Sequence, residues 1–197
     1  VSDDFEIILV DDGSTDGSVE IGQRMATCYP ELVHVVLGRN LGNGANIREG
    51  FKHATRDVVF VNTVDGVLDT RDLPELIPHL AECDVLSAYR TDLAAHNPYQ
   101  KLLTTFNILL VRTLFPLKLR AYQTVQFHRR EFLQNVSIEG ASAFVSPELL
   151  IKAHAVGMSI KEVPVVFHPR RAGTAKGGRP IHVLRALRDV FGHWYSW

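Results

Sequence analysis

Short apolar runs separated by polar, glycine-rich segments set the rhythm of this chain. Glu6–Val10 (EIILV) begins it with a run of large aliphatics, the pattern of a strand buried on both faces. Asp11-Asp12-Gly13-Ser14-Thr15-Asp16-Gly17-Ser18 follows as loop chemistry, with Ser14 or Asp16 able to cap the helix predicted over Val19–Cys28. The pattern then predicts a strand at Leu32–Leu37, a helix at Gly42–Ala54, a strand at Asp57–Asn62, a short helix at Leu73–Leu80 and a strand at Asp84–Ala88. Such alternation predicts a parallel sheet wound with helices. In sheets of that kind ligands bind beyond the carboxyl ends of the strands. Polar clusters stand after three of these strands, at Asp11–Asp16, Thr63–Asp69 and Tyr89–Asp92.

The second half reads differently. Tyr99–Phe115 is helical and largely apolar, and Tyr122–Phe127 fits a strand. Pro147–Val156 (PELLIKAHAV) reads as an amphipathic helix closed by Gly157. Ser159–Phe167 is a strand with Pro164 inside it, which points to an edge or bulged position. A basic, glycine-rich loop spans Pro169–Pro180, and a terminal helix is expected over Ile181–Tyr195. We expect one domain over 1–197, with a nucleotide-binding half (1–92) and an acceptor and phosphate-loop half (93–197) that ends in an amphipathic helix.

Composition narrows the classes. With 197 residues, 46% hydrophobic and 22% charged, the chain can bury a sizeable core. A net charge of -1 argues against bulk nucleic-acid binding. Cys28 and Cys83 lack metal-ligand spacing and are expected to be buried free thiols in a reducing, cytoplasmic setting. No apolar run reaches the roughly 20 residues of a membrane-spanning helix, Arg112 interrupting the longest one. The chain opens as Val-Ser-Asp-Asp straight into its first predicted strand, so a cropped or mature fragment is expected, with an upstream strand needed to finish the site.

Four clusters carry candidate chemistry. Asp11, Asp12 and Ser14 stand where carboxylates can accept from a base N–H or from ribose hydroxyls; a solvated loop with a helix cap is the plainer reading. Asn40-Leu41-Gly42-Asn43-Gly44-Ala45, with Arg48 and Gly50, allows close backbone approach at a helix N-terminus, which favours a phosphate or a carboxylate. The same glycines also suit simple packing. Asp65 and Asp69 are the acids available after the Asp57–Asn62 strand to hold a divalent cation on a diphosphate. A helix-capping turn is the alternative there. Arg170, Arg171, Lys176 and Arg179, interleaved with Gly173, Gly177 and Gly178, form a loop that can close over phosphates or rest as a solvated patch. The 9 histidines show no metal-binding spacing.

Taken in order, these segments resemble family 2 glycosyltransferases, particularly the dolichol- and polyprenyl-phosphate sugar transferases. Val10–Ser14 is similar to that family's VDDGS motif, Asn40–Gly50 to its N-x-G-x-G-A…G segment, and Tyr89-Arg90 to the end of its G-S-R motif. Glu148-Leu149-Leu150 and Gly157…Glu162-Val163-Pro164-Val165 resemble its E-L-L…G…E-V-P-V stretch, and Arg170…Gly173…Lys176 its R-x-x-G-x-S-K loop, with Ala175 in place of Ser. The family's D-x-D-x-Q metal motif falls on Thr63, Asp65 and Val67, which keeps one carboxylate. Acids usual before the second-half strand are absent from Arg120–Thr124, and no P-x-Y-N-E segment is found.

The resemblance implies an α/β fold of the GT-A type, a Rossmann-like, mostly parallel sheet flanked by helices, its first strand missing. It implies inverting transfer of a sugar from a UDP- or GDP-sugar to an acceptor, polyprenyl phosphate being favoured. Asp11, Asp12, Ser14, Gly42, Gly44 and Arg48 would bind the donor. Asp65 would hold Mg²⁺ or Mn²⁺, and Arg90, Arg170 and Lys176 would neutralise phosphate. For a hydroxyl acceptor, Asp65, Asp69 or Glu148 would serve as base. The alternative is a nucleotide-sugar-binding protein with a degenerate metal motif and little or no transfer. Leu102–Phe115 and the terminal helix, with Trp194, Tyr195, Trp197, Arg185 and Arg188, fit either a membrane surface or the domain's own core. The expected location is cytoplasmic, peripheral at the inner face of the plasma membrane.

Overall fold

A computed structural model describes residues 4–64, 68–91, 98–166 and 180–196, without the side chains of Gln100, residues 180–183 and Ser196. Chain order runs β1 (Ile7–Asp11), α1 (Ser18–Cys28), β2 (Leu32–Val36), α2 (Asn43–His53), β3 (Val58–Phe60), α3 (Leu73–Leu76), β4 (Val85–Arg90), α4 (Pro98–Leu114), β5 (Val125–Arg129), α5 (Arg130–Asn135), α6 (Val145–Ala155), β6 (Ile160–Val165) and α7 (Pro180–Ser196). The predicted Leu73–Leu80 helix is α3 between two 3-10 turns, Thr70–Asp72 and Ile77–Ala81. Prolines 74 and 78 set those breaks, since neither can donate a backbone hydrogen bond.

β1 and β2 pair in parallel. The other four strands form a sheet in the order β3-β5-β4-β6. There β3, β4 and β6 point one way and β5 is reversed, antiparallel to both neighbours. The strand predicted at Tyr122–Phe127 thus begins later, at Val125, and runs on directly into α5, which the sequence pattern did not predict. β6 lies at the sheet edge, where Pro164 leaves no inner ladder bond unmade.

Glu6 joins the two sheets. Its carboxylate accepts from the Thr55 amide (2.6 Å), the Thr55 hydroxyl (2.8 Å) and the Arg56 amide (3.0 Å), immediately before β3. Arg56 also pairs with Asp4 at 2.7 Å. Glu6, one residue before β1, is therefore latched to the segment that leads into β3.

β4 is buried on both faces, as its apolar run requires. Leu86 and Ala88 pack with Leu68, Leu76, Leu80 and Phe127 on one face. Val85 packs on the other with Val111 of α4, Leu150 and Ile151 of α6, and Val190 of α7. A third cluster sets Phe51 of α2 against Leu133, Ile138, Val145 and Leu149. α6 is not amphipathic as predicted: Val145, Pro147, Glu148, Leu149, Leu150, Ile151 and Ala153 are all buried, because Glu148 finds its partners inside. Gly157 closes α6 as expected, at φ 82°. Cys83 is buried, which pushes its thiol pKa up, whereas Cys28 is exposed at the end of α1, contrary to expectation. Among the described residues no helix is long and apolar enough to cross a membrane.

Candidate active site

Asp11 ends β1 with its side chain turned back on its own loop. Its Oδ1 accepts from the amides of Gly13 (2.9 Å) and Ser14 (2.7 Å). The Ser14 hydroxyl, then the Ser14 and Gly13 amides, hold the Asp11 carboxyl below its usual range against the opposing effect of burial. Neither cap proposed for α1 holds the position: Gly17 is the N-cap, at φ 83°, and makes no side-chain cap bond, while Asp16 just before it accepts from the amide and hydroxyl of Ser18 at 3.3 and 2.6 Å.

Asp12 reaches across to the next loop. Its two oxygens accept from the amides of Leu41 (2.7 Å) and Gly42 (3.1 Å). The α2 N-terminus thus receives a carboxylate from within the protein, one of the two anions its geometry favours. Gly44 packs so closely on the loop around Gly140 that an added Cβ would lie 1.9 Å from the Gly140 carbonyl oxygen. Arg48 clamps the same loop, donating to the carbonyls of Ile138 (2.9 Å) and Gly140 (3.4 Å). Five of the predicted donor-binding positions, Asp11, Asp12, Gly42, Gly44 and Arg48, therefore belong to one structural knot, with Ser14 bonded into it through Asp11.

The far side of the knot was missed by the sequence reading. Glu148, wholly buried, accepts from the amides of Glu139 and Gly140, both at 2.8 Å, and pairs with Lys152 at 2.9 Å. Asp189 of α7 accepts from the amides of Ala141 (3.3 Å) and Ser142 (3.0 Å). An acid isolated in the apolar run PELLIKA is the sequence signal for such an internal anchor. Glu148 is enclosed and fully bonded, so it does not suit the general-base role considered for it.

Beyond β3, Asn62 closes the loop that carries Asp65. Its amide donates to the Leu68 carbonyl (2.9 Å), and its oxygen accepts from the amides of Thr63 (3.0 Å) and Leu68 (3.3 Å). Asp69, the alternative metal holder, instead accepts from the Arg71 amide (2.9 Å) and grips the Arg71 guanidinium. Arg90 is half-buried at the end of β4, opposite Val165. Asp65, Arg170 and Lys176 lie outside the described residues. Among the described residues, no three His, Cys, Asp or Glu side chains gather to hold a metal ion.

The glycosyl transferase family 2 model matches residues 2–137. The chain belongs to glycosyl transferase family 2. It is 27% identical over 175 residues to an uncharacterized glycosyltransferase of Mycobacterium tuberculosis, covering 87% of this chain and 78% of that one. It is 46% identical over 79 residues to undecaprenyl-phosphate 4-deoxy-4-formamido-L-arabinose transferase of Pseudomonas syringae, covering 40% of this chain but 22% of that one. Two solved structures are similar in fold. Glucosyl-3-phosphoglycerate synthase from Mycobacterium tuberculosis, in complex with Mn²⁺, UDP and phosphoglyceric acid, gives a TM-score of 0.70 at 20% identity, over 97% of this chain and 66% of that one. The mannosyltransferase from Pyrobaculum calidifontis, in complex with GDP-Man and Mn²⁺, gives 0.61 at 18% identity, over 95% and 55%. This family 2 glycosyltransferase therefore has the α/β fold of the GT-A type expected from its motifs.

Proposed function

We propose that this family 2 enzyme transfers a sugar from a UDP- or GDP-sugar to a polyprenyl phosphate, with inversion at the anomeric carbon. The observation that carries the reading is the Asp12 carboxylate on the amides of Leu41 and Gly42, which brings two of the candidate donor-binding segments together. The Asp11–Asp12 loop and the α2 N-terminus then share one edge. A GDP-Man complex and UDP complexes among similar structures support a nucleotide-sugar donor. The undecaprenyl-phosphate transferase relative supports the acceptor class.

Asp11, Asp12 and Ser14, framed by Gly42, Gly44 and Arg48, would receive the nucleoside. A carboxylate offers about four lone-pair sites, so Asp12 keeps acceptor capacity after its two internal bonds. Arg90, Arg170 and Lys176 would neutralise charge as the nucleoside diphosphate departs. An acceptor phosphate is already ionised and attacks without a general base. Asp65 would hold Mg²⁺ or Mn²⁺, phosphate oxygens supplying further ligands. That ion would balance the charge of the diphosphate when bound.

A second reading, nucleotide-sugar binding with little or no transfer, is favoured by Thr63 standing where the metal motif has its first acid and by Arg71 occupying Asp69. One assay separates them. Release of UDP or GDP from the matching sugar nucleotide is followed with polyprenyl phosphate and Mg²⁺ or Mn²⁺, with and without EDTA. Acceptor-dependent release that disappears with EDTA and in Asp65→Ala supports transfer. Tight donor binding with no release across acceptors supports the second reading.

A further inference from the structure

We propose that Asp189 of α7 is a positioning residue for the donor: it sets the α2 N-terminus by way of Ala141, so the seating of α7 tunes affinity for the nucleoside diphosphate. One carboxylate oxygen of Asp189 accepts from the amides of Ala141 (3.3 Å) and Ser142 (3.0 Å). The Ala141 carbonyl in turn accepts from the Gly44 amide at 3.5 Å, and a Cβ on Gly42 would stand 3.3 Å from the same oxygen. Asp189, Ala141 and Gly44 thus form a relay from the C-terminal helix to the first turn of α2. Asp12 takes the neighbouring amides of Leu41 and Gly42. The first turn of α2 is therefore held by two acids, Asp12 directly and Asp189 through Ala141.

Neighbouring contacts stiffen the relay. His193, one turn beyond Asp189, is buried; its Nδ1 donates to the Asp189 carbonyl, and its Nε2 lies 3.9 Å from the Glu139 carboxylate of the same loop. Val190, fully buried, keys α7 into the core. Gly44 has no room to slide, because the Gly140 carbonyl already fills the space of a Cβ. Contacts this close pass a displacement on rather than absorb it. Glu148 holds the loop from inside, at Glu139 and Gly140. Asp189 holds it at the residue that bonds α2, from a half-buried place on a terminal helix. Local opening is easiest at such places, so this grip can vary without unfolding the domain.

The proposal rests on the reading that the α2 N-terminus frames the donor. Its test has two readouts, one of them free of ligand. Amide hydrogen exchange of the full chain, resolved by NMR at Leu41, Gly42 and Gly44, follows the relay. Calorimetric titration with UDP and with GDP, well below the unfolding midpoint of each variant, follows the donor side.

Asp189→Ala should speed exchange at Gly44 about fivefold, the worth of one hydrogen bond, with Leu41 and Gly42 near wild type. The same variant should weaken binding of the diphosphate about fivefold to tenfold. A single oxygen takes both amides, so Asp189→Asn should restore both readouts to within about twofold. Val190→Ala loosens the same helix in the core but keeps the carboxylate, and should bind like wild type. Should Asp189→Ala fail to fold, Asp189→Glu, one methylene too long for the two amides, must show the same two losses. Unchanged exchange at Gly44, faster exchange without loss of affinity, or an equal loss of affinity in Val190→Ala each overturns the proposal while the donor reading stands. Wild-type protein that binds neither UDP nor GDP overturns the donor reading and this proposal with it.

Discussion

Asp12 and Glu148 do the same thing in different surroundings. Each accepts two main-chain amide hydrogen bonds, and each steadies one side of the α2 N-terminus, Asp12 through Leu41 and Gly42 and Glu148 through the loop that packs on Gly44. Glu148 is wholly buried and also paired with Lys152, whereas Asp12 is only partly buried. An acid enclosed among its partners contributes to architecture alone. An acid at the rim retains lone pairs toward solvent and can also meet a ligand. The contrast divides the knot into a base that holds and an edge that binds, although both were built from the same interaction.

Removing the base should have the largest effect. Glu148→Ala leaves the Glu139 and Gly140 amides and the Lys152 ammonium without their buried acceptor, at a cost of about 3–5 kcal/mol. Urea unfolding followed by circular dichroism measures it, and a loss below about 1 kcal/mol would remove the distinction between the two acids. Gly44→Ala comes next, at about 1–3 kcal/mol, because the obstacle is a backbone carbonyl that cannot swing aside. Asp12→Ala should cost about 1–2 kcal/mol of stability. Its distinguishing outcome is weaker binding of the sugar nucleotide, by about tenfold in calorimetric titration. Unchanged affinity would make Asp12 as purely architectural as Glu148.

Much of this was readable from residues because local pattern and tertiary demand agree there. The strand at Ile7–Asp11 and the Gly-rich segment at 40–45 needed only period, turn chemistry and the strand-end rule to be located, although β1 is only partly buried, with Ile7 exposed, and not enclosed on both faces as its aliphatic run predicted. The reversal of β5 was not readable, since Val125–Arg129 has the same apolar character whichever way it runs. Nor was the 138–142 loop, whose importance lies in partners far along the chain: Arg48, Glu148 and Asp189. The same distance effect hid the internal duty of Asp12, because the amides that donate to it lie 29 and 30 residues away. The motif marks the two acids as neighbours, while the folded chain distinguishes what each already holds.

The smallest effect expected concerns Asp11, the neighbour of Asp12 that turns inward. Bonds from Ser14 and Gly13 lower its folded pKa below the ordinary 3.8. A depressed carboxyl pKa contributes stability that is fully present above the unfolded value and is lost as pH falls through the folded one. Asp11→Asn retains an oxygen for the two amides but no charge to titrate. The variant should therefore be slightly less stable than the parent at pH 7, and the gap should close as pH falls below the range of a free aspartate. Urea midpoints of both proteins across that range give the comparison directly. A gap that stays constant with pH would mean the loop bonds stabilise Asp11 equally in both protonation states, and would place its contribution in shape rather than charge.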